Sequence, residues 1–270
     1  MNATNRTMYI PLYGKALVSR MGVILDDPKA EEIWEKEGFA LRGKSRSRYL
    51  AYYMAMRAGV FDRLVSERLA AYPQALVVHL GCGMDSRCLR VKKARACWAD
   101  VDMGAVISER RRHYEESGTY RMIAADARET AWIQALPEAQ HVVLVMEGLT
   151  MYLSREAIDA LFAAFAARYA HVHVLADFYT TFGVRASRYK NPISDVGAQV
   201  FYGMDDPRLP ERTPGVRFAG EESMTPPELV AQLKGMERLV FSRLMAGRFA
   251  KKIYRLWTYE IEGKRAADEG

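Results

Sequence analysis

A doubly wound, mostly parallel α/β fold is predicted for this 270-residue chain by two observations. First, five apolar runs recur with helical patterns between them, as expected of strands covered on both faces. Second, each run ends on a glycine or a carboxylate: Gly81, Asp102, Asp126, Glu147 and Asp177. In a sheet of right-handed crossovers, ligands sit at the carboxyl ends of the strands, so these residues are expected to converge.

The first run, residues 76–80, breaks into Gly81-Cys82-Gly83-Met84-Asp85-Ser86-Arg87. Without a Cβ, Gly81 and Gly83 let backbone N–H groups approach a ligand closely, although Gly-x-Gly also occurs in ordinary strand-to-helix turns. Residues 96–102 form the second strand and end about 20 residues beyond the glycines, where an acidic side chain meets ribose hydroxyls; Asp102 is the candidate. A dinucleotide site would place a third glycine where Ser86 stands, and no Walker-type sequence is present. An adenosine-like ligand without polyphosphate remains, and S-adenosylmethionine fits that description.

Residues 119–125 are the third strand, ending at Asp126, and residues 141–146 the fourth, ending at Glu147-Gly148. A helix is expected to start at an N-cap, Ser154, and to bury Ile158, Leu161, Phe162 and Phe165. Residues 171–176 are the fifth strand. The segment 178–227 then interrupts the alternation with Tyr179, Phe182, Tyr189, Phe201, Tyr202 and six prolines, and reads as an acceptor-site insertion. Residues 239–241, 248–250 and 253–261 read as strands of an antiparallel edge. Residues 1–70 read as a helical lid, 71–177 as the cofactor-binding core and 228–270 as the C-terminal strands, all in one domain.

Several motifs together resemble the leucine carboxyl methyltransferase superfamily, in its bacterial branch similar to the tetracenomycin polyketide O-methyltransferases. They are Ile10-Pro11-Leu12-Tyr13-Gly14-Lys15-Ala16, Asp27-Pro28-Lys29-Ala30, the Gly81–Arg87 run with Val101-Asp102, Met146-Glu147-Gly148-Leu149-Thr150-Met151-Tyr152-Leu153, and Tyr202-Gly203-Met204-Asp205-Asp206-Pro207. Met84 and Ser86 stand where Leu and Thr are commonest, and Thr150 where an apolar residue is usual. The resemblance implies a seven-stranded class I methyltransferase sheet, with S-adenosylmethionine as donor and a carboxyl or hydroxyl oxygen of a small, aromatic or polyketide-like metabolite as acceptor. It also implies that Lys15 and Arg57 hold the donor's carboxylate and that Gly81, Cys82 and Gly83 line that end. Asp102 with Met103 would meet the ribose, Asp126 with Ala127 the adenine, and Glu147 the amino group, with Tyr152 near methyl transfer; Tyr152 and Glu147 are the candidate catalytic residues, and either of them or a histidine is a candidate base for a hydroxyl acceptor. The chemistry agrees: carboxylates take Lys or Arg donors, and hydroxyls or ammonium take carboxylate acceptors. Alternative readings are methylation of a protein C-terminus or carrier-bound chain, or a cofactor-binding partner without catalysis.

Each residue also has a structural reading. Lys15 fits a solvated helix charge, Arg57 a partner of Asp62, Asp126 a helix cap and Tyr152 packing, whereas Glu147 has no evident structural task. His79 is expected in the core. His171 and His173 share one strand face without a third ligand, so no metal site is expected. Three cysteines make no disulfide framework, and Cys82 reads as a small filler. Half the residues are hydrophobic, enough for a full core. The start lacks an apolar leader and no run is long enough to span a membrane, so a cytoplasmic protein that makes no membrane contact is expected. Net charge is +6, but the basic residues are interspersed with acidic ones, which argues against nucleic acid. The cluster at residues 42–48 is a candidate for attracting an anionic acceptor or an acidic carrier. Both a monomer and a homodimer remain open.

Overall fold

The computed structural model describes residues 7–37, 41, 43–92, 95–187 and 199–263. Tyr189 and the first residue of the 42–48 cluster lie outside them. Among the described residues seven strands form one sheet: β1 (Leu76–Leu80), β2 (Cys97–Asp102), β3 (Tyr120–Ala124), β4 (His141–Met146), β5 (His171–Tyr179), β6 (Val216–Glu222) and β7 (Tyr254–Glu262). Their spatial order is β3-β2-β1-β4-β5-β7-β6. The first five pair in parallel, and β7 runs antiparallel to both β5 and β6. The order reverses beside β1, so the switch point of the sheet lies at the end of the glycine-ended strand.

The period of two along each strand divides the core in two. Val77, Val143 and Leu175 face one apolar cluster together with Tyr52, Met56 and Phe61; Val78, Leu144 and Val174 face the other, with Phe162 and Phe165. The first cluster is covered by three N-terminal helices, α1 (Tyr9–Arg20), α2 (Pro28–Glu37) and α3 (Arg48–Ala71). A single turn α4 (Arg87–Arg90) follows the glycines, and α5 (Gly104–Arg110) follows β2. The second cluster is covered by α6 (Arg155–Arg168), whose Ser154 accepts a 3.2 Å hydrogen bond from the Ala157 N–H and whose Ile158, Leu161, Phe162 and Phe165 are buried, as the sequence predicted.

The C-terminal quarter differs from expectation. Residues 239–241 lie in helix α9 (Gly235–Leu244) and residues 248–250 in α10 (Gly247–Ile253), after α7 (Thr181–Ser187) and the short α8 (Pro227–Val230). Phe241 is the fully buried residue of α9 and packs edge-on against Tyr52, at 6.3 Å between ring centroids. The chain requires one reversed strand, β7, to enter beside β5; the outer edge strand β6 comes from inside the segment read as an insertion. Its alternation is weak because the register shifts between Phe218 and Gly220 and the strand then ends in Gly220-Glu221-Glu222. No described helix is long and apolar enough to cross a membrane.

Arg110 ties the switch point together. Its side chain is fully enclosed; it donates to the Gly83 carbonyl at 3.0 Å and the Tyr120 hydroxyl at 3.1 Å, and pairs with the Asp100 carboxylate. Removing one partner of a buried ion pair strands the other charge. Arg110→Met is therefore expected to cost about 3–5 kcal/mol in urea unfolding, and adding Asp100→Asn should restore part of the loss. A cost near zero for the single variant would show that Asp100 tolerates its charge without Arg110.

Candidate active site

One cavity of about 940 Å³ opens over the carboxyl ends of the parallel strands. All of the residues predicted for the site line it: Lys15, Arg57, Gly81, Cys82, Gly83, Asp102, Met103, Asp126, Ala127, Glu147 and Tyr152. They come from α1, α3 and four strand ends.

The floor is the glycine turn. Gly81 and Gly83 hold φ of +72° and +50°, values costly for residues with a Cβ. A Cβ would lie 3.0 Å from Leu149 at Gly81 and 3.0 Å from Met8 at Gly83. The second acidic strand end fixes this turn. Asp102 accepts from the Gly83 N–H at 2.8 Å and the Met103 N–H at 2.7 Å. Burial raises its pKa above the ordinary carboxylate value, against the lowering effect of those two N–H groups. Its remaining lone pairs border the cavity. Cys82 is buried, and burial holds its thiol well above the usual range, so it is an inert filler. Asp126 folds back in a short turn on Arg128, accepting from its backbone N–H at 2.9 Å and pairing with its guanidinium, which holds the carboxyl below its ordinary value.

The wall is a chain of buried ion pairs. Glu147 accepts from Arg57 Nε at 2.9 Å and Arg87 Nη2 at 2.5 Å. Arg87 and Arg90 both hold Asp62, each at 2.6–2.7 Å. Arg90 also pairs with Asp27 at 2.6 Å and Asp85 at 3.2 Å, and Lys15 pairs with Asp85. Two expectations change here. Lys15 is no solvated charge but is 2 % exposed, its ammonium taken by Asp85. Asp62 is not the partner of Arg57, which instead faces Glu147 and, at 3.4 Å, Asp177. Glu147 thus has a structural task as well. Arg57 Nη2 makes no hydrogen bond among the described residues, which leaves its donors toward the cavity that Arg57 lines.

These contacts set the titration. Burial would raise Glu147, but the fields of Arg57 and Arg87 outweigh it and bring its pKa to about 2. Asp85 is held well below the ordinary value by Arg90, Lys15 and Arg87, again against burial. Asp177 goes the other way: burial lifts it to about 6 although Arg57 opposes. Its Oδ1 accepts from the Gly148 N–H at 2.8 Å, and its backbone carbonyl accepts from the Thr150 hydroxyl. That bond explains a polar residue at position 150. Ser86 similarly donates to Asp27 and accepts from Arg90 at 2.6 Å. Arg87, Asp85, Arg90 and Asp27 received no role from the sequence; the signal was three charged residues within seven positions after the glycines, next to a motif whose polar residues cannot all face water.

Beside Arg57 the cavity is aromatic and apolar. Tyr53, Tyr152, Tyr179 and Tyr254 line it with Met54 and Phe201. Burial raises the four phenols, so all stay neutral at physiological pH. Tyr152 is half-buried and faces the cavity. His79 is buried in β1 and borders the same cavity; burial lowers it to about 4 and Arg87 adds to the shift.

Comparison with known proteins identifies the family. The sequence profile of the leucine carboxyl methyltransferase family matches residues 6–166. The chain belongs to that family. It is therefore a methyltransferase dependent on S-adenosylmethionine. It is 28 % identical over 261 residues, 94 % of this chain and 97 % of the relative, to the tetracenomycin polyketide synthesis O-methyltransferase TcmP of Streptomyces glaucescens. It is 30 % identical over 191 residues, 65 % of this chain and 64 % of the relative, to the S-adenosyl-L-methionine-dependent methyltransferase dpfgK of Gibberella zeae. Among solved structures, magnesium protoporphyrin IX methyltransferase from Synechocystis PCC 6803, crystallised with S-adenosylhomocysteine, superposes with a TM-score of 0.52 at 13 % identity, over 86 % of this chain and 93 % of that one. That is a likeness of fold, and the fold is that of the class I methyltransferases.

Because Glu147 has a folded pKa below its unfolded value of 4.5, its contribution to stability is fully present above pH 4.5 and is lost as pH falls toward about 2. Glu147→Gln should therefore flatten the acid limb of the stability curve across that window and lower stability at pH 7, where Arg57 and Arg87 lose their partner. An acid limb of unchanged slope in the variant would mean that Glu147 is not held ionised in the fold.

Proposed function

We propose that the protein transfers the methyl group of S-adenosylmethionine to a carboxyl or hydroxyl oxygen of a small aromatic metabolite. The observation that carries this reading is the mixed lining of one cavity: charged groups and a glycine floor at the switch point of the sheet, with neutral tyrosines and apolar side chains beside Arg57. The residues present suit the cofactor. The positive-φ glycines make a turn without side chains whose backbone lines the cavity, Arg57 offers unused N–H donors for a carboxylate, and the Asp102 carboxylate suits a diol.

In this reading Asp102 accepts from the ribose hydroxyls while its two backbone bonds hold it rigid. Arg57 Nη2 donates to the amino-acid carboxylate, with Lys15 contributing through its field while Asp85 holds it. Glu147 lies beside the amino group, and Asp126 with Ala127 borders the adenine. The cofactor supplies a methyl carbon already activated by the sulfonium. The chain's own task is then to align the acceptor oxygen with that carbon and to exclude water, which the helices over the strand ends provide. An ionised carboxylate acceptor needs no base; a phenolic acceptor would give its proton to a group near Tyr152. The similarity to TcmP supports an aromatic, polyketide-like acceptor.

Calorimetry is expected to give a micromolar Kd for S-adenosylhomocysteine, equivalent to about −8 kcal/mol, with no competition by NAD or ATP. Asp102→Asn should weaken it by about 1.5–3 kcal/mol in a folded protein. Incubation with aromatic carboxylic acids and phenols, followed by mass spectrometry, should reveal a single added methyl, and mild alkaline hydrolysis then separates esters from ethers. Tight NAD binding, or an unchanged affinity in Asp102→Asn, would defeat the assignment.

A further inference from the structure

Outside the cavity, one cluster of side chains has no role in the methyl-transfer reading. Glu37 ends α2, Glu109 lies in the last turn of α5, and His113 follows α5. The His113 side chain is fully enclosed and neither ring nitrogen makes a hydrogen bond among the described residues. Its Nε2 lies 3.3 Å from Glu37 Oε1 and 3.9 Å from Glu109 Oε1. One ligand atom from each of the three falls within 4.8 Å of the other two. A cation bound to imidazole and carboxylate at about 2.0–2.2 Å in tetrahedral geometry holds its ligand atoms roughly 3.4 Å apart. The His113–Glu37 pair has that spacing already, and Glu109 has to draw closer to complete it.

We propose that Glu37, Glu109 and His113 bind one divalent first-row cation of the Zn2+ type, with water in the remaining position. The donor set, a neutral imidazole and two carboxylates, carries two negative charges and suits that class. Positive charge is already drawn there: Arg112 pairs with Glu109 Oε1 at 2.8 Å and Glu37 Oε1 at 3.1 Å. Its side chain is 55 % exposed, so it can turn to solvent when a cation takes its place. The cation would join α2 to α5, which starts two residues after Asp102, and so would pin the N-terminal helices to the end of β2. It takes no part in methyl transfer. The sequence concealed the set because Glu37 is remote from the other two in the chain.

The test is titration of the chelator-treated full-length protein with Zn2+ by calorimetry and with Co2+ by visible absorption. One equivalent should bind with a micromolar Kd, Co2+ should show the spectrum of a low-coordinate N/O site, and Tm should rise with Zn2+. Glu109→Gln and His113→Asn, each checked for folding by the Tm of the metal-free protein, should weaken binding by about 100-fold, as removal of a ligand has at least the effect of removing its outer support. Arg112→Ala removes the competitor and should tighten binding several-fold. Affinity unchanged in Glu109→Gln and His113→Asn, or binding only at millimolar metal, would overturn the proposal.

Discussion

The position of Glu147 between Arg57 and Arg87 is the constraint on which the rest of the site depends. Arg57 belongs to α3, Arg87 to the turn after the glycines and Glu147 to the end of β4. One buried carboxylate therefore joins the N-terminal helices, the cofactor turn and the central strand. Such pairs add little net stability, because desolvation offsets most of the attraction, but a misplaced partner leaves an uncompensated charge. The arrangement thus selects one geometry. Extension through Asp62, Arg90, Asp27, Asp85 and Lys15 makes the same demand of α1 and of the chain leading into α2.

This organisation gives the helices over the sheet two functions in one set of residues. Their apolar faces close the first core cluster with Tyr52, Met56 and Phe61. Their charged residues complete the cavity wall. A binding site built in this way is preorganised: Asp102 is aimed by two backbone N–H groups, Asp177 by the Gly148 N–H, and the guanidinium of Arg57 by two carboxylates. The opposed titration of Glu147 and Asp177 follows from the same wall, since Glu147 has two close cations and Asp177 shares one at longer range.

Strands β1 and β4 were legible because strands buried on both faces are apolar throughout, and glycine or carboxylate punctuation at 81, 102, 126 and 147 marks the ends of the first four strands; β5 instead continues past Asp177 to Tyr179. The C-terminal quarter was less so. The 239–241 run is short and apolar in either conformation, and α9 leaves Met236, Leu239 and Leu244 exposed, which erases the helical period. Strand β6 was hidden because a register shift between Phe218 and Gly220 interrupts its alternation and its second half is Gly220-Glu221-Glu222.

The sequence by itself determined the fold class, the glycine turn and the strand-end residues Gly81, Asp102, Asp126 and Glu147 of the cavity, because backbone freedom and strand-end polarity are local properties written in adjacent residues, while Lys15, Arg57 and Tyr152 followed only from the family resemblance. Only the tertiary structure decided the partners: that Lys15 serves Asp85, that Asp62 serves Arg87 and Arg90 rather than Arg57, and that Glu147 is doubly held. Ion pairing depends on distance in space between elements far apart in the chain, and a pattern of charges along one chain cannot say which of several carboxylates will lie within 3 Å of a given guanidinium.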